Sequence, residues 1–312
     1  MDYNSHETQI MEGYHKSVLL REVVDALKIR DAWYLDCTLG DGGYSIEIIK
    51  RGGRVIGVDV DPQALVRVQK RFEVEGISKD RFRLIQGNFR DLKNLIQQTD
   101  IAGSNFDRGK LCLSGAVFDL GVSSLQLETP ERGFSFGKLG PLDMRMDPNL
   151  AIQALDFLNN LSRKELYGLF RQLGEEKYSW RLANALVRAR EVKPISDTLE
   201  LAEIVERTIG GKKEKIHPAT RVFQALRIAV NDELSALEEG LEQVKDLIER
   251  DGRIVVVSFH SLEDRIVKNK FKHWQMERIG EILTEKPVSP SEEEIEENPR
   301  SRSAKMRVFR RT

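Results

Sequence analysis

No apolar run in this chain approaches the roughly 20 residues that a helix needs to cross a bilayer; the longest hydrophobic stretches are strand-sized. A membrane-spanning protein is therefore not expected. Cysteine is nearly missing too. Cys37 and Cys112 form no CxxC pair, which argues against a disulfide framework or a zinc site and suits a reducing cytoplasm; no metal is expected. The opening MDYNSHETQIMEGYHK lacks a basic segment followed by an apolar one, so it reads as a polar lead-in rather than a secretory signal. Internal repeats and low-complexity tracts are not evident, which sets aside solenoids. Net charge is close to absent, at −1 with neutral histidines, and on average this gives no strong pull on a polyanion.

What is present is the balance of a globular chain: 312 residues, 40% hydrophobic and 32% charged, enough for roughly two domains. The near-zero charge hides a segregation. EEEIEE occupies 292–297, whereas Arg300, Arg302, Lys305, Arg307, Arg310 and Arg311 follow without an acid among them. That tail predicts a local basic surface, with an ordinary solvated face as the alternative.

Short runs rich in β-branched and aromatic residues alternate with helix-like stretches in the first 120 residues, the pattern of an α/β sheet buried on both faces. The candidate strands are Trp33 to Cys37, Arg54 to Val60, Phe82 to Gln86, Gly115 to Leu120 and Arg253 to Phe259, with a last one over Lys305 to Phe309. More than a hundred residues separate the fourth from the fifth, too many for one crossover. Helical spacing such as Leu166, Leu169, Phe170 and Leu173 predicts a helical insert over about 150–215. From Ala219 the stripe Val222, Phe223, Leu226, Val230, Leu234, Leu237 and Leu241 predicts a helix that rejoins the main sheet. Thr284 to Asn298 reads as an exposed loop.

After the first strand comes Asp36-Cys37-Thr38-Leu39-Gly40-Asp41-Gly42-Gly43, a glycine-rich turn where a doubly wound sheet binds its nucleotide. About 20 residues on, Asp59 ends the second strand, where a carboxylate can accept hydrogen bonds from both hydroxyls of a ribose. Pro62 suits the start of the next helix. NAD and S-adenosylmethionine both use such a site. The dinucleotide pattern Gly-x-Gly-x-x-Gly/Ala is not met, because counting from Gly40 its last position is Ser45. S-adenosylmethionine carries a sulfonium and an ammonium instead of a pyrophosphate, and Asp36 or Asp41 suits the ammonium. A methyltransferase is favoured over a dehydrogenase, though a turn that is only a turn and an Asp59 that only caps a helix are the bland alternatives. Phe89, after the third strand, is placed to pack on an adenine or simply to join the core.

The fourth strand ends in Phe118-Asp119-Leu120-Gly121-Val122-Ser123-Ser124 and the fifth in Ser258-Phe259-His260-Ser261-Leu262-Glu263-Asp264-Arg265, at the edge where α/β sheets do chemistry. Methyl transfer to an exocyclic amine requires alignment and an acceptor for the amine's proton. Asp119 is the first candidate for that acceptor. His260 is the second, against a reading as a helix cap. Arg265, Lys268, Lys270 and Lys272 are candidates for phosphate contacts, with a solvated helix face as the alternative.

Long blocks recur here in one order: HKSVLLREVVDAL from His15, DCTLGDGG from Asp36, VIGVDVDPQAL from Val55, DLGVSSLQL from Asp119, ERGFSF from Glu131, PLDMRMD from Pro141, HPATRVFQALRIAVNDEL from His217, SFHSLEDRIVK from Ser258 and ENPRSRSAKMRV near the end. Over nearly its whole length the chain resembles the ribosomal RNA small subunit methyltransferase H family, MraW-type cytosine-N4 methyltransferases of 16S rRNA. The resemblance implies an α/β fold, a Rossmann-like class I methyltransferase sheet with an inserted helical domain. It places the methyltransferase domain over 1–124 and 219–312, ending in a basic tail, and a helical substrate-recognition domain over 125–218. It implies S-adenosyl-L-methionine as cofactor and, as target, the N4 amine of a cytidine in the decoding centre of 16S rRNA, within the small subunit. The residues that match the family's cofactor contacts are Gly42, Gly43, Tyr44, Asp59, Phe89, Asp119 and Gln126, with Gly40 added from the turn. Tyr44 departs from the family's usual histidine, so a contact made by the backbone survives and one made by an imidazole does not. Amino methyltransferases often carry Asp/Asn-Pro-Pro-Tyr where Asp119-Leu120-Gly121-Val122 stands, which leaves base stacking to another residue, Phe134 or Phe136. A ribosome-assembly factor without turnover is the competing reading; the retained Asp59, Asp119 and turn glycines argue against it. Homo-oligomerisation is left open.

Overall fold

The computed structural model describes residues 14, 16–99, 106–107, 110–210 and 217–312. His15 and the lead-in over 1–13 lie outside them. By contacts the chain forms two units, Met1–Gly121 with Ser235–Thr312, and Val122–Leu234.

The first unit holds a seven-stranded sheet: β1 (Trp33–Asp36), β2 (Arg54–Asp59), β3 (Phe82–Gln86), β4 (Leu113–Asp119), β5 (Ile248–Ser258), β6 (Gly280–Ile282) and β7 (Lys305–Arg311). Their order across the sheet is β3-β2-β1-β4-β5-β7-β6. The first five run parallel and β7 runs antiparallel to both its neighbours. Every candidate strand is present to within a few residues, and β6 adds one that no sequence signal marked. The helices are α1 (Leu20–Leu27), α2 (Gly43–Lys50), α3 (Pro62–Val74), α4 (Leu92–Gln97), α11 (Glu233–Val244, from Ser235 on), α12 (Ser261–Met276) and α13 (Glu292–Glu297).

Continuous apolar strands are what a sheet covered on both faces requires. One face packs Leu35, Ile56, Phe118 and Val256 against Leu92 of α4, Leu237 and Leu241 of α11, and Phe271 and Trp274 of α12. The other packs Tyr34, Val55, Val117 and Val255 against Val23 and Leu27 of α1 and Ile48 of α2. Chain order reverses between β1, which continues to β2, and its other neighbour β4. The crevice at the carboxyl ends of those two strands is the binding position of a doubly wound sheet.

The second unit is helical: α5 (Ser124–Glu128), α6 (Ala154–Asn160), α7 (Arg163–Gln172), α8 (Ser179–Val192), α9 (Thr198–Ile209) and α10 (Ala219–Asn231). It encloses a core of its own that includes Leu166, Phe170, Leu186, Leu201, Val222 and Leu226. The helix expected to rejoin the sheet from Ala219 is in fact two. Asp232, in the left-handed conformation at φ +48°, separates α10 from α11, and by contacts the helical unit runs on to Leu234. The stretch expected to be a plain exposed loop also carries structure. Ser291 caps α13, whose Glu294 accepts the backbone N–H of Leu19 at 2.7 Å and whose Glu297 pairs with Lys16 at 2.7 Å. Among the described residues no helix is long and apolar enough to cross a membrane.

Candidate active site

Asp36 ends β1 fully buried, its carboxylate accepting the Ser45 hydroxyl at 2.7 Å and the Thr38 N–H at 3.4 Å. Ser45, the residue that breaks the dinucleotide pattern, therefore anchors the first acid of the turn. Burial pushes Asp36 up to about 6. Gly40 and Gly42 take φ of +50° and +72°, a region that residues with a Cβ avoid. A Cβ on Gly42 would also meet both methyls of Val68 at 3.0 Å. The turn can thus lie close on α3 and lead into α2, which begins at Gly43 with no side-chain cap at its N-terminus.

Asp59 ends β2 and closes the other side of the turn. One oxygen accepts the N–H of Gly40 at 2.8 Å and the other that of Asp61 at 2.9 Å. Each oxygen retains a lone pair, the requirement for holding both hydroxyls of a ribose. Burial raises this carboxyl to about 6. Asp61 caps α3 with Pro62 at its first position, so the cap role belongs to Asp61 and not to Asp59. Phe89, half-buried beyond β3, sets its ring edge-on to Phe118 of β4, with centroids 5.6 Å apart at 83°. A Cβ on Gly240 of α11 would fall 2.7 Å from that ring. The absence of one lets the helix press Phe89 into place.

Asp119 ends β4, and its N–H donates to Thr38 Oγ1 at 2.6 Å, which ties the ends of β1 and β4 together. Its Oδ1 is buried without a hydrogen-bond partner. Burial, then the charge of Asp36, pushes the carboxyl up to about 8, the Tyr44 hydroxyl opposing and Glu263 adding to the rise. An orphaned buried oxygen costs roughly 1–3 kcal/mol, and a perturbed carboxylate in a crevice marks a functional site. Three carboxylates at one sheet edge suit a cation. A pyrophosphate would meet like charge, whereas the sulfonium and ammonium of S-adenosylmethionine would meet Asp119, with the charge of Asp36 buried behind it, its ribose Asp59 and its adenine Phe89. The residues present fit that molecule.

The comparisons with known proteins agree. The model of the MraW methylase family matches residues 12–312. This chain belongs to the MraW methylase family. Ribosomal RNA small subunit methyltransferase H of Carboxydothermus hydrogenoformans is 45% identical over 96% of this chain and 98% of its own. The proteins of that name from Halothermothrix orenii and a Synechococcus strain are 42% and 46% identical over 95% and 96% of this chain. A solved rRNA methylase from Streptococcus thermophilus covers 96% of this chain at 11% identity with a TM-score of 0.42, a likeness too loose to bear on the site.

Within this MraW methylase, Gly40, Gly42, Gly43, Tyr44, Asp59, Phe89 and Asp119 gather at the carboxyl edge of β1 to β4. Tyr44, in the histidine's place, turns its side chain inward. Its ring is buried, its hydroxyl donates to the Val18 carbonyl, and it lies beside Asp119. Asp41, a candidate partner for the ammonium, is instead paired with Arg67 at 3.0 Å. Gln126 belongs to the helical unit, where its Oε1 accepts the Ser123 N–H at 3.0 Å and the Ser123 hydroxyl accepts the Gln126 N–H at 3.3 Å.

His260 is the N-cap of α12, and its Nδ1 accepts the Glu263 N–H at 3.4 Å. Its Nε2 is buried without a hydrogen bond, 3.1 Å from Glu263 Oε1. The nitrogen that would accept a proton is thus committed to the cap. Glu263, which sequence reasoning left without a role, is buried and accepts the N–H groups of Phe259 and His260 at 2.8 and 3.3 Å. The three-residue spacing of a capping box was the signal that could have found it. Thr38 carried no such signal.

Other expectations fail on burial and pairing. Phe134 is a core residue, and Phe136 is stacked on His217 with centroids 4.6 Å apart; neither is an open stacking surface. The part of the basic tail that forms β7 is largely paired: Arg307 is buried against Asp264 at 2.6 Å, Lys305 reaches the same carboxylate at 3.6 Å, Arg310 pairs with Glu281 at 2.7 Å, and Arg311 donates to the Ile248 carbonyl, while Arg300 and Arg302 stay exposed on the turn before it. Of the cations expected on α12, Lys270 pairs with Glu242 at 2.7 Å, while Lys268 and Lys272 are exposed.

Proposed function

We propose that this chain methylates the N4 amine of a cytidine in the decoding centre of 16S rRNA, working in the cytoplasm on the small ribosomal subunit. The observation that carries the reading is Asp119, a carboxylate at the topological switch point with one buried oxygen unpartnered and its affinity for a proton raised. S-adenosylmethionine, when bound, supplies a methyl group made electrophilic by its sulfonium. Gly40, Gly42, Gly43 and the backbone of Tyr44 hold the amino-acid end, Asp59 the ribose and Phe89 the adenine. The family resemblance adds Gln126 to the residues that hold the donor, and residues 125–218 serve in recognising the RNA.

An exocyclic amine on cytosine has its lone pair drawn into the ring, so it reacts well only when its N–H is oriented by an acceptor. A cationic donor in the crevice would favour the ionised form of Asp119, and Asp119 Oδ1 is then that acceptor and afterwards holds the proton that the amine gives up. His260 serves the same edge indirectly, by fixing the start of α12 and the position of Glu263. The RNA target and the N4 atom rest on the family, and the carboxylate edge supports a cationic donor independently.

The test is to incubate the protein with methyl-labelled S-adenosylmethionine and small subunits that lack the modification, then digest the RNA and identify the labelled nucleoside. Label in N4-methylcytidine at a single decoding-centre position is the expected result. Label in another nucleoside refutes the target. Tight donor binding with no label in any subunit preparation refutes the activity and leaves an assembly factor.

A further inference from the structure

The helical unit exposes three aromatic side chains that its own core does not use: Tyr167 on α7, Tyr178 before α8 and Trp180 on α8, with 38%, 41% and 52% of their surfaces in solvent. Tyr167 and Trp180 meet edge to face, with centroids 5.6 Å apart at 80°. Such a pair leaves a ring face open. The Arg181 guanidinium lies over Tyr178, 5.8 Å from its centroid. Exposed apolar side chains that cluster, unlike ones scattered singly, mark interaction surfaces.

Cations stand on the face of α7 that carries Tyr167. Arg163, Lys164 and Arg171 stand three or four residues from Tyr167 and share its helix face; all three are exposed. Among the described residues, none of these three nor Arg181 makes an ion pair. The nearby acids are occupied elsewhere. Glu165 closes the capping box of Ser162, and Glu176 is buried beside Arg221 at 3.6 Å. A patch of open rings within unpaired cations complements a strand that offers unpaired bases and phosphates together. A duplex offers only the phosphates.

We propose that this face of α7 and α8 is a docking platform for unpaired RNA, with Trp180 and Tyr167 as stacking surfaces and Arg163, Lys164 and Arg171 as phosphate contacts. The proposal rests on RNA being the substrate class and adds where an unpaired strand is held. It also supplies what Phe134 and Phe136 cannot, an aromatic face not already covered by the protein.

Trp180 can be read directly, because Trp33 and Trp274 are only 4% and 0% exposed. The full-length protein is titrated with a short single-stranded oligoribonucleotide of mixed sequence, and with the same strand annealed to its complement, while tryptophan emission is followed. Quenching by the single strand and not by the duplex is expected. With a fluorescein-labelled strand, Trp180→Ala and Tyr167→Ala each raise Kd by about fivefold or more, the range of one lost base stack. Donor affinity and melting temperature stay at parental values. Arg171→Gln reduces the salt dependence of binding.

An unchanged Kd for Trp180→Ala overturns the proposal. So does a Trp180→Ala that alters sedimentation while leaving RNA affinity alone, which would make the face a contact between copies of this chain. Methyl transfer to small subunits is measured on the same preparations. Parental protein that binds the strand through Trp180 and transfers no methyl group keeps the platform and loses the activity, and methyl transfer with a Trp180-independent Kd does the reverse.

Discussion

Asp119 takes up its last proton near pH 8 in the folded chain, whereas a free aspartate does so near about 3.9. Between those values the folded state binds more protons than the unfolded one, so stability falls as pH rises. Asp36 and Asp59, both at about 6, add to the slope in its lower half. Asp119→Asn removes its share. In urea denaturation its advantage over the parent is therefore absent at the acid end and grows until pH passes about 8; an advantage that does not change with pH would show that folding leaves the proton affinity of Asp119 unchanged. Asp119→Ala leaves the fold intact and lowers methyl transfer by at least about 100-fold, the lower range for loss of a positioned proton acceptor; a labelled-donor assay on unmodified subunits measures it. His260 is expected to behave differently. Asparagine is a good N-cap, so His260→Asn keeps α12 in place and turnover within several-fold. A fall as deep as that of Asp119→Ala would make the imidazole a participant.

Elements explain why some residues were legible and others were not. The turn after β1 and the acid after β2 stand at fixed offsets from short apolar strands, so local spacing was enough to place Asp36, Gly40, Gly42 and Asp59. The basic run over 300–311 is the opposite case. Its meaning depends on Asp264, at the start of α12, and Glu281 of β6, partners that become neighbours only when β7 enters the sheet. Nothing local distinguishes a neutralised strand from a cationic tail. Arg307 and Asp264 are both largely buried, and removing one partner of such a pair strands the other's charge. Asp264→Ala therefore destabilises the sheet unit by about 3 kcal/mol, read from chemical denaturation, whereas Arg302→Ala, an exposed change on the turn before β7, stays within about 0.5 kcal/mol. Equal effects would mean that the pair is open to water. The break at Asp232 was hidden for a related reason. The apolar stripe runs on through it at helical spacing, and a single left-handed residue leaves no mark on that periodicity.

At the scale of the molecule, the long gap between the fourth and fifth strands announced an insert, but its limits were beyond the reach of periodicity. Both units use helices of the same amphipathic kind, and only the partner that each apolar face meets assigns α10 to one core and the greater part of α11 to the other. Because the helical unit encloses its own core, Phe170→Ala lowers its stability by about 3–5 kcal/mol. Calorimetry with and without the methyl donor is expected to show that midpoint lowered while donor affinity changes less than twofold. Loss of donor binding would mean that the cofactor edge depends on the helical core. The strand order also has a consequence for synthesis. β7, residues 305–311, lies between β5 and β6, so this flank of the sheet stays unpaired until residues 305–311 have been made and released. The crevice between β1 and β4 can assemble on the ribosome, yet the backbone edge of β5 stays open to stray pairing until the last strand has cleared the exit tunnel. The acidic stretch over 292–297 emerges just ahead of it, a run of like charge beside the edge still waiting to be filled.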